Sequence, residues 1–270
     1  MILTVSLAQL DVRLGQPKEN ADVIARWASK AAQLESHLLV LPELWATGYD
    51  LSRVKTHAAA MGRGLFGRMS ELASRHRLAI AGSLLEADGE RCYNTCALYG
   101  RDGSLLGAYR KLHLFGPMEE PRWLAAGDHL EVVRAPWGAT GLAVCYDLRF
   151  PELFRRYALA GAEVMIVVAQ WPESRIEHWR TLLRARAIEN QCFAIGVNRV
   201  GDSGGERFGG CSAVVGPSGE TLVEGNEDAG LLTTRVDLGF VEEARHQIPT
   251  LSDRRPDIYQ DDPSVVGQQP

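Results

Sequence analysis

The order of apolar segments predicts an α/β fold. Short β-rich runs such as residues 2–9 (ILTVSLAQ) and 163–169 (EVMIVVA) are bounded by polar or Gly/Pro stretches and have strand length. Longer stretches between them carry apolar residues at steps of three and four, the spacing of one helix face. No repeat, low-complexity tract or linker divides the 270 residues. Residues 1–251 are therefore expected to form one domain, and 252–270, polar and containing Pro256, Pro263 and Pro270, a tail.

The elements follow in order. Residues 2–9 read as a buried first strand, and 17–34 as an amphipathic helix whose apolar face is Ile24, Trp27, Ala28, Ala31 and Leu34. Residues 38–41 (LLVL) form the next strand, stopped by Pro42. A helix is expected over about 65–75, then strands over 78–85, 93–99 and 104–110, with Asp102-Gly103 turning the last two. Strands at 139–145 and 163–169 flank a helix opening at Pro151, a favoured first helical residue. A helix over 175–190 and strands at 191–198, 211–216, 220–224 and 230–236 complete the pattern, with Pro217-Ser218-Gly219 as a turn.

Composition narrows the function classes. A formal net charge of -5 argues against nucleic acid as the main partner, because phosphate binding needs a basic surface. The N-terminal residues carry no basic leader or A-x-A site, so no signal peptide is expected. No apolar run approaches the roughly 20 residues needed to span a bilayer. The five cysteines (Cys92, Cys96, Cys145, Cys192, Cys211) form no C-x-x-C pair and read as reduced thiols of a cytoplasmic protein. The scattered histidines offer no H-E-x-x-H or clustered Cys/His spacing, so no metal site and no cofactor are expected. Gly62, Gly64 and Gly67 fit G-x-G-x-x-G, but no strand precedes them, so the dinucleotide motif lacks its context.

Chemistry is sought at strand ends. Cys145 closes an apolar strand, and a helix begins about six residues later. Such a corner exposes a nucleophile beside free backbone N–H groups, and a thiol there has oxyanion donors and a partner to lower its pKa at hand. Taken alone, Cys145 reads more readily as a buried structural cysteine than as a nucleophile. Glu43, just past residues 38–41, reads alone more readily as a helix-start or loop charge, but the same position can line the crevice at the carboxyl ends of strands, where burial would raise its pKa and let it trade protons near neutrality. Lys111 ends another strand, and its ammonium would hold an oxyanion if it faced the same crevice. His113 paired with Cys145 is an alternative thiol hydrolase, and a non-catalytic binding scaffold is another.

In this order the segments Leu41-Pro42-Glu43, Tyr109-Arg110-Lys111-Leu112-His113-Leu114 and Cys145-Tyr146-Asp147-Leu148-Arg149-Phe150-Pro151-Glu152 resemble the nitrilase superfamily of carbon–nitrogen hydrolases. The resemblance covers roughly residues 1–260 and implies a Glu-Lys-Cys triad at Glu43, Lys111 and Cys145. It also implies a second functional glutamate, four residues before an apolar residue followed by x-x-Gly. Glu120, Leu124 and Gly127 fit that spacing, whereas Glu119 is one residue out of register. The fold implied is a four-layer α-β-β-α sandwich, commonly paired into a homodimer. Ala169-Gln170-Trp171-Pro172, the stretch from His178 to Gln191, and the end from Arg245 to Tyr259 look like the ω-amidase branch, which acts on 2-oxoglutaramate. The segment between Phe115 and Gly127 varies within that branch, so selectivity is expected there.

The implied mechanism needs no metal. Glu43 takes the thiol proton of Cys145, the thiolate attacks a small amide, and Lys111 with the backbone N–H of Tyr146 stabilises the oxyanion. Ammonia leaves, and water positioned by Glu120 hydrolyses the thioester. Arg149 is the candidate for a substrate carboxylate, with a structural salt bridge as the alternative. Trp171 is the candidate pocket wall, with core packing as the alternative. An N-carbamoyl amine hydrolase or a nitrilase remains open within the same superfamily.

Overall fold

The computed structural model describes residues 1–258. The expected tail falls largely outside them. The chain runs β1 (Ile2–Gln9), α1 (Pro17–Gln33), β2 (Leu38–Val40), α2 (Val54–His57), α3 (Gly64–His76), β3 (Ala79–Asp88), β4 (Arg91–Tyr99) and β5 (Leu105–Arg110). It continues through α4 (Glu120–Trp123), β6 (Val132–Ala135), β7 (Gly138–Val144), α5 (Pro151–Leu159), β8 (Val164–Ala169), α6 (Ile176–Asn190) and β9 (Phe193–Asn198). It ends with β10 (Val200–Ser203), β11 (Glu206–Gly209), β12 (Ala213–Val215), β13 (Thr221–Glu224), β14 (Gly230–Asp237) and α7 (Gly239–Gln247).

Two six-stranded sheets form, in the orders β14-β1-β2-β3-β4-β5 and β13-β12-β9-β8-β7-β6. Both are mixed. β1, β2 and β3 run parallel, as do β7, β8 and β9, and antiparallel strands flank each trio. Side-chain alternation sets the layers. Leu3, Val5 and Leu7 of β1, with Leu38 and Val40 of β2, join the core shared with Leu142, Val144 and Ile166 of the other sheet. Leu39 and Ile80 point the opposite way, onto Ile24 and Ala28 of α1 and Phe66 and Met69 of α3. On the far side α5 and α6 cover the second sheet with Phe154, Tyr157, Trp179 and Leu183. The result is the α-β-β-α sandwich. Strands of the second trio are buried on both faces, which is why they read as unbroken apolar runs.

Several details depart from the sequence reading. α1 ends at Gln33, and Leu34 becomes its C-cap, so its side chain leaves the buried face and stands exposed. The strand expected over 139–145 stops at Val144. α2, α4, β6, the β10–β11 hairpin and α7 were not expected. α4 is a single turn and the three strands have four residues each, too short to show a period.

Candidate active site

Three candidate residues, Glu43, Lys111 and Cys145, stand at strand ends that the fold brings together, and Glu120 opens α4 beside them. Glu43 follows β2 across Pro42. Its loop is fixed to β3: Leu41 N–H donates to the Ala81 carbonyl at 2.8 Å, and Leu44 N–H to Ser83 Oγ at 2.9 Å. Gly82 lies beneath, where a Cβ would meet Leu41 Cβ at 2.8 Å. Lys111 directly follows β5, with its N–H on the Asn94 carbonyl and its own carbonyl accepting Gly127 N–H, both at 2.9 Å. A Cβ on Gly127 would fall 2.3 Å from the Arg110 carbonyl oxygen, so the close approach explains the glycine in that spacing.

Cys145 directly follows β7 and opens a five-residue 3-10 helix, Cys145–Arg149. Its φ is +47°, a left-handed conformation costly for a residue with a Cβ. Asp147, fully buried, secures this turn. It accepts the Val144 N–H and the Tyr109 hydroxyl, both at 2.9 Å, and the His113 N–H at 3.1 Å. One carboxylate thus ties the Cys145 turn to the strand end bearing Lys111. From α6, Arg186 donates twice to the Leu148 carbonyl, at 3.1 and 2.8 Å.

The polar groups converge in a buried interior. Lys111 Nζ donates to Glu43 Oε1 at 2.9 Å and Glu120 Oε1 at 2.7 Å, and all three side chains are fully buried. Glu43 also accepts Asn94 Nδ2 at 2.8 Å and the Gln170 N–H at 2.9 Å. Glu120 Oε2 accepts the Phe115 N–H at 2.6 Å. The hydroxyl of Tyr49 lies 2.9 Å from Glu43 Oε1 and 2.8 Å from Glu120 Oε1. Glu119, by contrast, is exposed and pairs with Arg122 at 3.3 Å.

Burial dominates the electrostatics. It raises the Glu43 carboxyl above its usual range, with Lys111 opposing and Glu120 reinforcing. Lys111 suffers the same burial, but Glu120 and Glu43 outweigh it and hold the ammonium above its ordinary pKa. The Cys145 thiol is pushed well up by burial and further by Glu43, against the pull of Lys111. This corrects the expectation of a lowered thiol pKa: at rest the site keeps a neutral S–H, which donates to the Gln170 carbonyl at 3.8 Å. Burial, the largest influence, also carries Cys96 and Cys192 to about 12, so those thiols are chemically quiet.

Cys145 opens onto a narrow cleft lined also by Phe115, Met118, Tyr146, Arg149, Gln170, Trp171, Pro172 and Arg175. Tyr146, Arg149 and Trp171 therefore share the cleft with the thiol. Trp171 is both wall and core, packed on Trp179 at 5.7 Å, with its backbone N–H donating to Asn198 Oδ1 at 2.7 Å and its indole N–H to the Arg175 carbonyl at 2.8 Å. Arg149 lies 4.8 Å from the Trp171 ring centroid and 3.3 Å from His178 Nδ1. No ion pair joins Arg149 to an acid among the described residues, so the alternative of a structural salt bridge finds no partner there.

His113 is engaged away from the thiol. Its ring stacks on Phe150 at 3.6 Å, and Nδ1 lies 2.8 Å from Asp147 Oδ1. Among the described residues no group of three or more His, Cys, Asp or Glu side chains is arranged to hold a metal ion. No described helix is long and apolar enough to cross a membrane. Tyr49, Asn94, Asp147, Gln170 and Arg175 were not singled out from the sequence. Asp147 and Gln170 lie inside the family-like segments; Tyr49 and Asn94 carry no local signal, because their role arises from the approach of β4 and the loop after β2.

Comparison with known proteins agrees with this geometry. The model of the carbon-nitrogen hydrolase family matches residues 4–246. The chain is 37% identical over 257 residues to 2-oxoglutaramate amidase of Bacillus subtilis, covering 95% of this chain and 99% of that one. Among solved structures it resembles XC1258 of Xanthomonas campestris, a CN-hydrolase superfamily protein with an arsenic adduct in its active site. The TM-score is 0.89 and the identity 32%, over 94% and 98% of the two chains. It also resembles an amidase mutant from Nesterenkonia sp. AN1 in which acrylamide has added to the active-site cysteine. There the TM-score is 0.80 and the identity 30%, over 92% and 98%.

Proposed function

The chain belongs to the carbon–nitrogen hydrolase family, and from that premise we propose that it hydrolyses a small carboxylate-bearing amide, 2-oxoglutaramate or 2-oxosuccinamate, through a thioester on Cys145. The observation that carries the reading is the convergence of Glu43, Lys111 and Glu120 behind a thiol at the floor of a cleft.

In the proposed reaction Glu43 takes the Cys145 proton as substrate enters, and the thiolate sulfur bonds to the amide carbon. The oxyanion is held by Lys111 and the Tyr146 N–H, which lies in the first turn of a 3-10 helix where backbone donors lack intrahelical partners. Such a donor contributes about 3–4 kcal/mol in comparable sites. Glu43 returns the proton to the leaving nitrogen, the C–N bond breaks and ammonia departs. Water, activated by Glu43 and positioned by Glu120, then cleaves the thioester to a carboxylic acid and restores the thiol. Arg149 binds the substrate carboxylate, and Trp171 closes the wall beside it.

Residues 1–251 are read as one hydrolase domain, supported by the core that both sheets share. A cytoplasmic setting is proposed, in keeping with five free thiols. A homodimer is proposed from family resemblance, and light scattering on the purified chain tests it. The function is tested by ammonia release across 2-oxoglutaramate, 2-oxosuccinamate, glutamine and N-carbamoyl amines. The expected preference is for the two oxo-acid amides. Carbon dioxide released with ammonia from a carbamoyl substrate, with the oxo-acid amides inert, overturns it in favour of a carbamoyl hydrolase.

A further inference from the structure

The Tyr49 hydroxyl sits between two carboxylate oxygens, 2.9 Å from Glu43 Oε1 and 2.8 Å from Glu120 Oε1, with Lys111 Nζ 3.5 Å away. Tyr49 is half-buried, with its hydroxyl turned onto the fully buried carboxylates of Glu43 and Glu120. Both contacts have hydrogen-bond length, and each needs a proton. The hydroxyl owns one. With both carboxyls ionised it donates to one oxygen and leaves the other facing a lone pair at under 3 Å. A single further proton on either carboxyl completes the chain. Charge favours the same count: with Lys111 cationic, one ionised and one neutral carboxyl leave these groups neutral in a buried interior, whereas two ionised carboxyls leave a net negative charge.

We propose that Tyr49 joins Glu43 and Glu120 into a pair that shares one proton, and that it relays that proton between them. In one arrangement Glu43 O–H donates to Tyr49, and Tyr49 O–H donates to the Glu120 carboxylate. In the other, Glu120 O–H donates to Tyr49, and Tyr49 O–H donates to the Glu43 carboxylate. Two hydrogens move in concert, one O–H bond breaks for each that forms, and Tyr49 is neutral before and after. The second arrangement suits Glu43 Oε1, which already accepts from Lys111 and Asn94. It leaves Glu43 ionised to take the Cys145 proton without placing two like charges side by side. Tyr49 is thus a positioning residue acting through Glu43, and this role rests on the amidase reading given above.

The test is Tyr49→Phe, which removes the oxygen and keeps the ring. The groups facing the hydroxyl are Glu43, Glu120, Lys111 and Cys145. Losing its hydrogen bond to Glu43 disfavours the ionised base. The acidic limb of kcat/KM for 2-oxoglutaramate should therefore move upward by about one pH unit. At neutral pH kcat should fall on the order of tenfold or more with KM nearly unchanged. An acidic limb that stays in place, whether or not kcat falls, overturns the relay. Infrared spectra of wild-type protein labelled with 13C-glutamate are independent of folding of the variant and of substrate. A labelled carboxylic-acid C=O band at neutral pH, lost in Glu120→Gln, supports the shared proton; its absence from the wild type overturns it. A wild type that shows the band yet leaves 2-oxoglutaramate unhydrolysed refutes the substrate reading and not the proton pair.

Discussion

Gln170 fastens itself to Glu43 twice. Its backbone N–H donates to Glu43 Oε2 at 2.9 Å, and its side-chain amide returns to the Glu43 carbonyl at 2.8 Å. Glu43 follows β2 of one sheet and Gln170 directly follows β8 of the other, so this pair locks the registry of the two sheets at the site. The same residue accepts the Cys145 S–H, and its side-chain oxygen takes Arg199 Nη1 at 3.3 Å. Gln170→Ala keeps the backbone bond but removes the side-chain clasp and strands a buried arginine donor. Leaving a buried polar group unpaired costs about 1–3 kcal/mol. The variant should melt several degrees lower and lose kcat more than it raises KM. Thermal melts and steady-state kinetics check this; unchanged kcat would mean that the clasp does not position the base.

Cys145 carries a conformational cost that its chemistry requires. With φ at +47°, any residue with a Cβ is strained there, roughly 1–2 kcal/mol by the sterics of the left-handed region. Cys145→Ala and Cys145→Ser should therefore abolish turnover and remain folded, without relieving the strain. Cys145→Gly should be equally inactive but at least as stable as the alanine variant, despite its smaller side chain. Denaturant midpoints and intact-mass detection of an acyl adduct in the wild type decide both halves. Turnover by either the alanine or the glycine variant would remove Cys145 as nucleophile.

Much of this was legible in the sequence, for identifiable reasons. Parallel strands buried on both faces gave apolar runs that could not be mistaken, and Pro42 and Pro151 marked a stop and a start. The candidate residues were legible only together, because Cys145 alone reads as core. What stayed hidden depends on distant approach. Tyr49 meets Glu120 across 71 positions, and Gln170 meets Glu43 across 127, distances at which no local pattern speaks. The thiol pKa was misread for the same reason: the corner suggested anion stabilisation, but the depth of burial and the closeness of Glu43 are properties of the assembled sheets.

The raised carboxyl of Glu43 has a consequence for stability. A group whose folded-state pKa exceeds its ordinary 4.5 binds more protons folded than unfolded. Its contribution is complete below that ordinary value and is lost as pH rises through the raised one. Glu43→Gln removes the titration. The variant should therefore gain stability relative to the wild type as pH rises from about 5 to about 8, below the range where thiols ionise. Urea unfolding of both proteins across that range is the measurement. Parallel profiles would show that Glu43 titrates normally and that burial is not the controlling influence.

The cleft makes its own demand on substrate. Arg149 and Arg175 both line it, one over the Trp171 ring and the other 5.8 Å from the Phe115 ring centroid, while among the described residues no Asp or Glu does. An ammonium entering here would meet two guanidinium groups and no acid, whereas a carboxylate would gain a charged hydrogen bond. Such a bond is worth about 1.5–3 kcal/mol, on the order of 10- to 150-fold in affinity. Arg149→Ala should accordingly raise KM for 2-oxoglutaramate by about that factor and leave kcat/KM for propionamide, which has no carboxylate, nearly unchanged. Arg149→Lys should recover only part of the loss, because a point charge cannot reproduce the bidentate fork. Arg175→Ala, measured on the same two amides, reports whether the second guanidinium shares the carboxylate. Equal losses on charged and uncharged amides in the Arg149 variants would assign that side chain to shaping Trp171 rather than to binding substrate.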